Sequence, residues 1–286
     1  MASTPLISTD DLAMCLADPA LRIIDCRFDL SDADAGVRAF AQSRIPHARY
    51  ADLHRDLSDL SQTHLHGRHP LPSMVSLAAS FSRLDVDKHS PVVVYDQDTG
   101  AYAARLWWLL KSLGNPNVKV LDGGFAAWKR AGLPIENEPA PRHAASRLPE
   151  QLILPTTSWV TADRLSQGLA DASVLLLDAR AGARFRGEVE PLDKIAGHVP
   201  GAVNRPFMDN LATDGRFQDP AQLRMEFLAL LGSRAPTSVV HMCGSGVTAC
   251  HNQLAMDLAG LHGSRLFADS WSGWITDNSR PVAVGP

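Results

Sequence analysis

Cys243 is the residue best suited to covalent chemistry, because it stands at a predicted strand-to-helix turn with glycines close behind it. The two valines before it indicate a buried strand, and the apolar spacing from Val247 onward indicates a helix. Gly244 and Gly246 allow a tight turn in which backbone N–H groups converge on one point. These dipoles, and the start of the following helix, favour a thiolate over a thiol. The pattern predicts a nucleophilic cysteine; the alternative is a small buried residue that only packs.

The composition limits the function classes that the chain can serve. Its 286 residues are enough for about two domains, and 45% hydrophobic with 20% charged residues is typical of a globular protein. A net charge of -4 gives no reason to expect nucleic acid or an anionic membrane as partner. No apolar stretch reaches about 18 residues, and the first residues lack a secretory signal, so we expect a cytoplasmic protein.

The cysteines and histidines do not predict a metal site. The four cysteines are too sparse for a disulfide framework and lack the paired spacing of a zinc site. His64 and His66 lie in a polar segment and are expected at the surface. Cys250 is expected to pack within the helix that follows Cys243 rather than to act as a second thiol.

Short apolar runs alternate with helical patterns along the first half of the chain. The predicted strands of this half are 21–25, 91–95 and 118–121, and the main predicted helices are 10–16 and 101–113. The segment 51–72 has little periodicity and is predicted to be a long surface loop. Alternating strands and helices are typical of an α/β fold with a mostly parallel sheet.

The second half repeats the motifs of the first half in the same order. The matched motifs are Asp25-Cys-Arg27 with Asp178-Ala-Arg180, Ile45-Pro-His-Ala48 with Val199-Pro-Gly-Ala202, and 121–128 with 267–274. An internal duplication explains this order, so each half is expected to form a mostly parallel sheet flanked by helices. In such sheets, sites lie beyond the carboxyl ends of the strands.

The two halves differ at the position that matters for chemistry. Asp96 stands in the first half where Cys243 stands in the second, so the first half is predicted to be non-catalytic. A proline-rich stretch separates the halves. We therefore predict an N-terminal domain over 1–138, a linker over 139–155 and a catalytic C-terminal domain over 156–286.

These motifs resemble the rhodanese superfamily over nearly the whole chain. The resemblance is carried by the tandem halves, the repeated Asp-x-Arg and the loop 243–248, which has six residues and begins with the cysteine. It implies two tandem rhodanese-like domains and a sulfurtransferase activity. The loop is similar to the form associated with 3-mercaptopyruvate sulfurtransferases, whereas thiosulfate-using members more typically carry charged residues there. Related phosphatases have a longer loop that closes with an arginine.

The resemblance also implies a mechanism without a metal or an organic cofactor. Cys243 takes sulfur from a small-molecule donor and holds it as a persulfide, with the outer sulfur near the amides of Gly244, Gly246, Val247 and Thr248. Cyanide, a small thiol or a thioredoxin-like protein then removes the sulfur. Three alternatives stay open, namely thiosulfate as the donor, a persulfide carrier with little turnover, and a phosphatase or arsenate reductase.

An anionic donor requires cations near the loop. By the resemblance, Arg184 and Arg180 match arginines near the active loop, and Arg184 is the better match for a substrate carboxylate. Arg180 has a second interpretation, a structural ion pair with Asp178, because the first half repeats the motif at Asp25 and Arg27 without a nucleophilic cysteine to serve. Relatives often carry a Glu-Pro-Arg segment, but this chain has leucine at that arginine position, so Lys194 is the predicted second cation.

Ser245 is predicted to donate a hydrogen bond to the donor molecule, within a serine–histidine–aspartate set of some relatives. His69, from the first domain, matches the histidine of that set. His54 stands where the aspartate is expected, so either Asp52 or Asp56 takes its place, or the loop amides alone activate the cysteine.

Overall fold

The computed structural model describes residues 4–137 and 152–286, so most of the predicted linker, 139–155, lies outside the described residues. The chain forms two compact units. The first comprises the described residues of Met1–Ser58, Pro72–Leu154 and Thr213–Arg216. The second comprises Asp59–Leu71, Pro155–Ala212 and Phe217–Pro286. The domain boundaries drawn from the sequence stay a prediction.

Short strands alternate with helices in both units. In chain order the strands are β1 (Leu6–Ile7), β2 (Arg22–Asp25), β3 (Arg49–Tyr50), β4 (Val92–Tyr95), β5 (Val118–Leu121), β6 (Leu175–Asp178), β7 (Val203–Asn204), β8 (Val239–Met242) and β9 (Arg265–Leu266). The helices are α1 (Thr9–Cys15), α2 (Ala35–Gln42), α3 (Thr63–His66), α4 (Met74–Leu84), α5 (Ala103–Ser112), α6 (Gly124–Arg130), α7 (Ala162–Ala170), α8 (Gly182–Phe185), α9 (Pro220–Leu231), α10 (Thr248–Leu258) and α11 (Ser270–Trp274). Among the described helices, none has the length and apolar character needed to cross a membrane.

The first unit contains a five-stranded parallel sheet in the order β1-β5-β4-β2-β3. All four residues of the central strand β4 are buried, as is usual in a parallel sheet covered by helices. Its last residue, Tyr95, pairs with Asp25 of β2, and its hydroxyl donates a hydrogen bond to that carboxylate at 2.8 Å. Leu12, Ile45 and Trp128 are fully buried in the core beside these strands.

The second unit contains a four-stranded parallel sheet in the order β7-β6-β8-β9. The residues of β6 and β8 are all buried, and the strands end together, with Asp178 paired to Met242. Because these strands are parallel, Ala179 and Cys243 leave the sheet at the same edge. The predicted α/β fold with mostly parallel sheets flanked by helices is confirmed.

The segment Asp59–Leu71 belongs to the second unit, although it lies early in the chain. The sequence predicts an irregular loop here, but a 3-10 turn over Leu60–Gln62 leads directly into α3. A single turn is too short to show a hydrophobic period, which explains the difference. Gly67 has a φ of 80°, and a Cβ on it would lie 2.3 Å from Ser272 Oγ, so this glycine permits close contact with α11.

Candidate active site

The turn between β8 and α10 holds Cys243, which is only 2% exposed. The N–H of Gly246 donates a hydrogen bond to Cys243 Sγ at 3.1 Å, so a backbone dipole is directed at the sulfur. Gly246 has a φ of 75°, and a Cβ on it would lie 2.2 Å from the carbonyl oxygen of Ala268. Glycine is therefore the residue that fits this turn. The roles of Val247 and Thr248 toward an outer sulfur stay predictions.

Hydrogen bonds to the start of α11 fix the backbone of the cysteine loop. The N–H of Trp271 donates to the carbonyl of Cys243 at 3.0 Å, and the N–H of Ser272 donates to the carbonyl of Gly244 at 2.9 Å. The hydroxyl oxygen of Ser270 accepts the N–H of Cys243 at 3.0 Å. The peptide groups around the sulfur are thus held by groups outside the loop itself.

Ser270 is a site residue that was not predicted from the sequence. Its φ of 52° lies in the left-handed region, which residues other than glycine rarely adopt. In the duplicated motif the matching residue of the first half is Gly124, with a φ of 58°. The sequence signal for Ser270 was a serine at a position where the first half has glycine. A strained backbone is retained at such a position when the side chain is needed for function.

Ser245 and His69 lie in contact inside the second unit. His69 Nδ1 is 2.7 Å from Ser245 Oγ, and both residues are buried, at 3% and 7% exposure. Two residues predicted to act together are thus adjacent, although His69 comes from the early segment Asp59–Leu71. This contact favours a serine–histidine pair over activation by loop amides alone.

The aspartates considered as partners of that pair have contacts of their own in the first unit. Asp56 accepts hydrogen bonds from Arg55 at 2.9 Å and pairs with Arg83 at 2.6 Å. Burial alone would raise the pKa of Asp56, but the Arg55 hydrogen bond and the Arg83 charge outweigh it and lower the pKa. Asp52 accepts the backbone N–H of His54 at 2.9 Å. Whether either aspartate serves catalysis stays a prediction.

Arg184 lies beside the cysteine loop with its guanidinium bound by two carboxylates. Its Nη2 is 2.6 Å from Glu190 Oε1 and 3.1 Å from Asp193 Oδ2. Its Nη1 would lie 3.4 Å from a Cβ on Gly244. Burial opposes the ionisation of Glu190, but the hydrogen bond from Arg184 and its charge outweigh that effect and lower the pKa of Glu190.

Arg180 is engaged in a buried ion pair, which favours its structural interpretation. Its Nη2 lies 2.6 Å from Asp178 Oδ2 and 2.8 Å from the carbonyl of Gly197. In the first unit, Arg27 makes the same 2.6 Å contact with Asp25. Since the first copy has Asp96 at the position of Cys243, the repeated pair is explained by the fold of each unit. A role of Arg180 toward a sulfur donor stays a prediction.

A second guanidinium beside the loop belongs to Arg68, which was not predicted from the sequence, and the role of Lys194 stays a prediction. Lys194 is exposed, whereas a Cβ on Gly244 would lie 2.6 Å from Arg68 Nη2. Arg68 Nη1 also forms an ion pair with Asp193. The segment that carries Arg68 is distant in sequence from the loop, so spacing alone did not point to it. The one available signal was its position next to His69.

Asp96, the counterpart of Cys243, is fully enclosed in the first unit. Its carboxylate accepts the backbone N–H groups of Gly100, Tyr102 and Ala103 at 2.9, 2.8 and 3.2 Å. Burial raises the pKa of Asp96, although these N–H groups act in the opposite direction. A carboxylate side chain therefore occupies the N–H groups of the turn that follows β4.

The remaining candidate groups have local partners. Cys250 is buried and its thiol donates to the carbonyl of Gly246 at 3.4 Å, as a packed helix residue does. His66 Nδ1 lies 3.2 Å from Asp269 Oδ2. Among residues 4–137 and 152–286, no group of three or more His, Cys, Asp or Glu residues is arranged to hold a metal ion.

Known proteins with similar sequences share this organisation. A model of the rhodanese-like domain matches residues 8–131 and again residues 161–277. The chain is 47% identical to a probable 3-mercaptopyruvate sulfurtransferase of Pseudomonas aeruginosa, covering 100% of both chains. It is 40% identical to SseB of Mycobacterium tuberculosis, a putative thiosulfate sulfurtransferase, covering 98% of this chain and 97% of that one.

Solved structures show the same fold. The 3-mercaptopyruvate sulfurtransferase of Leishmania major aligns with a TM-score of 0.82 at 31% identity, covering 94% of this chain and 73% of that one. SseA of Escherichia coli aligns with a TM-score of 0.79 at 28% identity, covering 94% and 100%. These matches confirm the predicted resemblance and the predicted tandem domains. The chain belongs to the rhodanese family, as a sulfurtransferase with two rhodanese-like domains in tandem.

Proposed function

We propose that this chain moves a sulfane sulfur from 3-mercaptopyruvate to a thiol or to cyanide, through a persulfide on Cys243. The observation that carries the proposal is the loop itself, where a buried sulfur accepts the N–H of Gly246. The guanidinium of Arg184 beside Gly244 supports an anionic donor. The relative that is 47% identical over the full length is named a probable 3-mercaptopyruvate sulfurtransferase, which supports this donor.

In the first step, the Cys243 thiolate attacks the sulfur of the donor. An S–S bond forms and the C–S bond breaks, and its electron pair leaves with the three-carbon fragment as an enolate. That fragment takes up a proton and departs as pyruvate, while the thiol proton of the donor stays on the outer sulfur until it ionises. Covalent transfer divides one difficult reaction into two easier ones.

The side chains around the loop have distinct tasks in that step. Arg184 holds the donor carboxylate through Nη1, which lies beside Gly244, because hydrogen bonds between a guanidinium and a carboxylate are strengthened by charge. Ser245, whose hydroxyl contacts His69 at 2.7 Å, donates to the donor carbonyl oxygen, where negative charge grows. Lys194, which is exposed and directly follows Asp193 in the chain, adds a positive charge at the surface.

In the second step, an acceptor removes the outer sulfur. Its thiolate attacks that sulfur, the S–S bond of the persulfide breaks, and the Cys243 thiolate returns. The acceptor leaves as a persulfide, or as thiocyanate when it is cyanide. The amides of Gly244, Gly246, Val247 and Thr248 stabilise the outer sulfur between the two steps.

Steady-state assays with both donors test the proposal. We expect sulfur transfer to cyanide and to a dithiol, with a higher kcat/KM for mercaptopyruvate than for thiosulfate, and no transfer by Cys243→Ser. A wild-type chain that moves sulfur from neither donor would contradict the proposal.

Thiosulfate is the second candidate donor. The supporting observation is the 40% identity to SseB, which is named a putative thiosulfate sulfurtransferase. Against it, the loop carries Gly244 and Ser245, where thiosulfate-using members more typically carry charged residues. A higher kcat/KM for thiosulfate in the same assay would establish this alternative.

We also propose a cytoplasmic location and a reduced thiol as the physiological acceptor, either a small thiol or a thioredoxin-like protein. The cysteines support both points, because Cys15, Cys26, Cys243 and Cys250 are all free. Multiple-turnover assays that compare glutathione, a dithiol and a reduced thioredoxin at equal thiol concentration rank the acceptors. Fractionation of cells tests the location.

A further inference from the structure

Two guanidinium groups approach the same residue of the cysteine loop. A Cβ built on Gly244 would lie 2.6 Å from Arg68 Nη2 and 3.4 Å from Arg184 Nη1. Because Gly244 directly follows Cys243, both cations stand at the position where a sulfur donor must enter. The missing side chain at Gly244 leaves room for both of them.

Asp193 links these two arginines. Its Oδ1 pairs with Arg68 Nη1, and its Oδ2 lies 3.1 Å from Arg184 Nη2. The Asp193 side chain is 4% exposed, so its buried charge requires such partners. Asp193 binds Arg68 Nη1, whereas Arg68 Nη2 is the nitrogen that comes closest to Gly244. Both terminal nitrogens of Arg184 approach the same Cβ position, Nη1 at 3.4 Å and the Asp193-bound Nη2 at 3.5 Å. The bridge therefore holds both guanidinium groups beside the loop.

Arg68 has unused hydrogen-bonding capacity at this place. Its Nε is buried, and within the described ranges 4–137 and 152–286 no hydrogen-bond partner is present for it. A bound molecule can supply the acceptor that such a buried donor lacks. The Arg68 side chain as a whole remains 27% exposed, so a ligand in solvent can reach it.

We infer that Arg68 is a second substrate-binding arginine, which acts with Arg184 on the carboxylate and the adjacent carbonyl oxygen of a thiol-bearing 2-oxo acid. This assignment rests on the proposed function. A 2-oxo acid presents three oxygens close together, and Glu190 and Asp193 already occupy part of each guanidinium, so donors from two arginines satisfy these oxygens better than donors from one. Asp193 is the positioning residue of the pair, and the exposed Lys194 is not needed as the second cation.

Kinetics of Arg68→Met give the first test. Removal of a charge-assisted contact predicts that KM for mercaptopyruvate rises about tenfold or more, with a smaller change in kcat. Arg186→Met is the matched control, because Arg186 is 42% exposed and pairs with Glu188 at 2.6 Å. It is expected to leave both constants within about twofold of the wild type.

Alkylation of Cys243 gives a second test that needs no sulfur transfer. Iodoacetate carries a carboxylate and iodoacetamide is its neutral analogue. In both, the thiolate attacks the methylene carbon, an S–C bond forms and iodide leaves. We expect Arg68→Met to slow carboxymethylation by iodoacetate several-fold, while the rate with iodoacetamide stays within about twofold. Peptide mass spectrometry assigns the modification to Cys243.

Two further variants keep the test valid if Arg68→Met folds poorly. Arg68→Lys retains the charge without the fork and should fall between the wild type and Arg68→Met. Gly244→Ala places a methyl group where Arg68 Nη2 lies, so it should lower the iodoacetate rate more than the iodoacetamide rate.

The possible results separate this inference from the proposed function. Unchanged KM and an unchanged iodoacetate to iodoacetamide ratio in Arg68→Met would overturn the inference, and so would an equal loss with both reagents. If the wild type moves no sulfur from mercaptopyruvate but Arg68→Met still lowers the ratio, the donor assignment fails and the two-arginine anion site stands.

Discussion

The hydroxyl of Ser270 connects two backbone segments around the reactive sulfur. It accepts the N–H of Cys243 at 3.0 Å and donates to the carbonyl of Phe267 at 2.9 Å. Ser270 is fully buried, so neither backbone group has water as a substitute partner. One side chain thus sets the orientation of the peptide that carries Cys243, at the cost of a left-handed backbone.

Two variants, Ser270→Ala and Ser270→Gly, separate the contribution of the hydroxyl to stability from the cost of the left-handed backbone. The alanine variant loses the hydrogen bonds and keeps the φ of 52°, so its free energy of unfolding should fall by about 1–3 kcal/mol. The glycine variant should be about 1 kcal/mol more stable than the alanine variant, because glycine adopts this φ freely. Both variants should lose activity to the same extent, because both lack the hydroxyl. Urea unfolding measures the stabilities and turnover measures the activities. Equal stability of the two variants would contradict the predicted backbone strain.

The Ser245–His69 contact predicts coupled effects on turnover. Because His69 orients the serine hydroxyl, His69→Ala and Ser245→Ala should each lower kcat about tenfold or more, and the double variant should lose little beyond either single one. His64→Ala, on an exposed residue, is the control. If His69→Ala leaves kcat unchanged, the loop amides alone activate the cysteine.

At the scale of the elements, the turn between β8 and α10 depends on one glycine. Gly246→Ala adds a methyl group 2.2 Å from the carbonyl of Ala268 at a φ of 75°, so both a clash and backbone strain result. We expect the free energy of unfolding to fall by at least about 2 kcal/mol, with loss of activity. Gly132→Ala is the matched control, since its φ is 68° and no heavy atom of the described residues lies within 4 Å of its Cβ position.

That control should cost about 1 kcal/mol, from the backbone conformation alone. The difference between the two variants measures the clash at the cysteine loop. Equal destabilisation would mean that the loop moves to accept a side chain at Gly246. Thermal and urea unfolding of both variants provide the comparison.

The elements with strong local patterns were predictable from the sequence. The strand before Cys243 is a run of buried residues, and the Asp25–Arg27 and Asp178–Arg180 pairs follow equivalent strands in both units. The two-residue strands β1, β3, β7 and β9 were not predictable, because two residues cannot show an alternating period.

Residue types and spacing predicted the part of the site that is local in sequence, namely Cys243 with Gly244 and Gly246. The family resemblance added Ser245, His69 and Arg184, of which His69 contacts Ser245. Arg68 comes from a segment whose packing on α11 is set by tertiary contact, through the N–H of Arg68 and Ser272 Oγ at 3.0 Å. Ser270 depends on a backbone conformation that its residue type disfavours, which no propensity predicts.

For the whole molecule, the four cysteines differ in their capacity to react. Burial raises the pKa of Cys26 well above its usual range, and the neighbouring carboxylates of Asp25 and Asp96 raise it further. The Cys26 thiol therefore stays protonated at neutral pH. Cys243 instead has a backbone N–H directed at its sulfur.

This contrast predicts one transferable sulfur per chain. After mixing with mercaptopyruvate and removal of excess donor, intact mass should show the addition of a single sulfur atom, which Cys243→Ser abolishes. Cys26→Ser and Cys250→Ser should still accept one sulfur, provided that they fold. A second stable addition in the wild type would show that another thiol takes part.

Acid stability should depend on Asp56 in the first unit. Its folded pKa lies below the usual value of 3.8, so its contribution is present above that pH and is lost as the pH falls through the lowered pKa. We expect Asp56→Asn to reduce stability at neutral pH and to flatten the decline between about pH 5 and pH 2. Urea midpoints of the wild type and of Asp56→Asn across that pH range measure the difference in stability. A parallel decline of the two midpoints would contradict the prediction.

The carboxylate of Asp96 has a consequence for inhibition. The N–H groups of Gly100, Tyr102 and Ala103 already hold a carboxyl group that is covalently part of the chain. A second anion would have to displace that side chain to reach the same N–H groups. Oxyanion inhibitors should therefore compete with the sulfur donor, and one inhibitor should bind per chain. In the first unit, the Asp96 side chain already occupies the position that such an inhibitor would take.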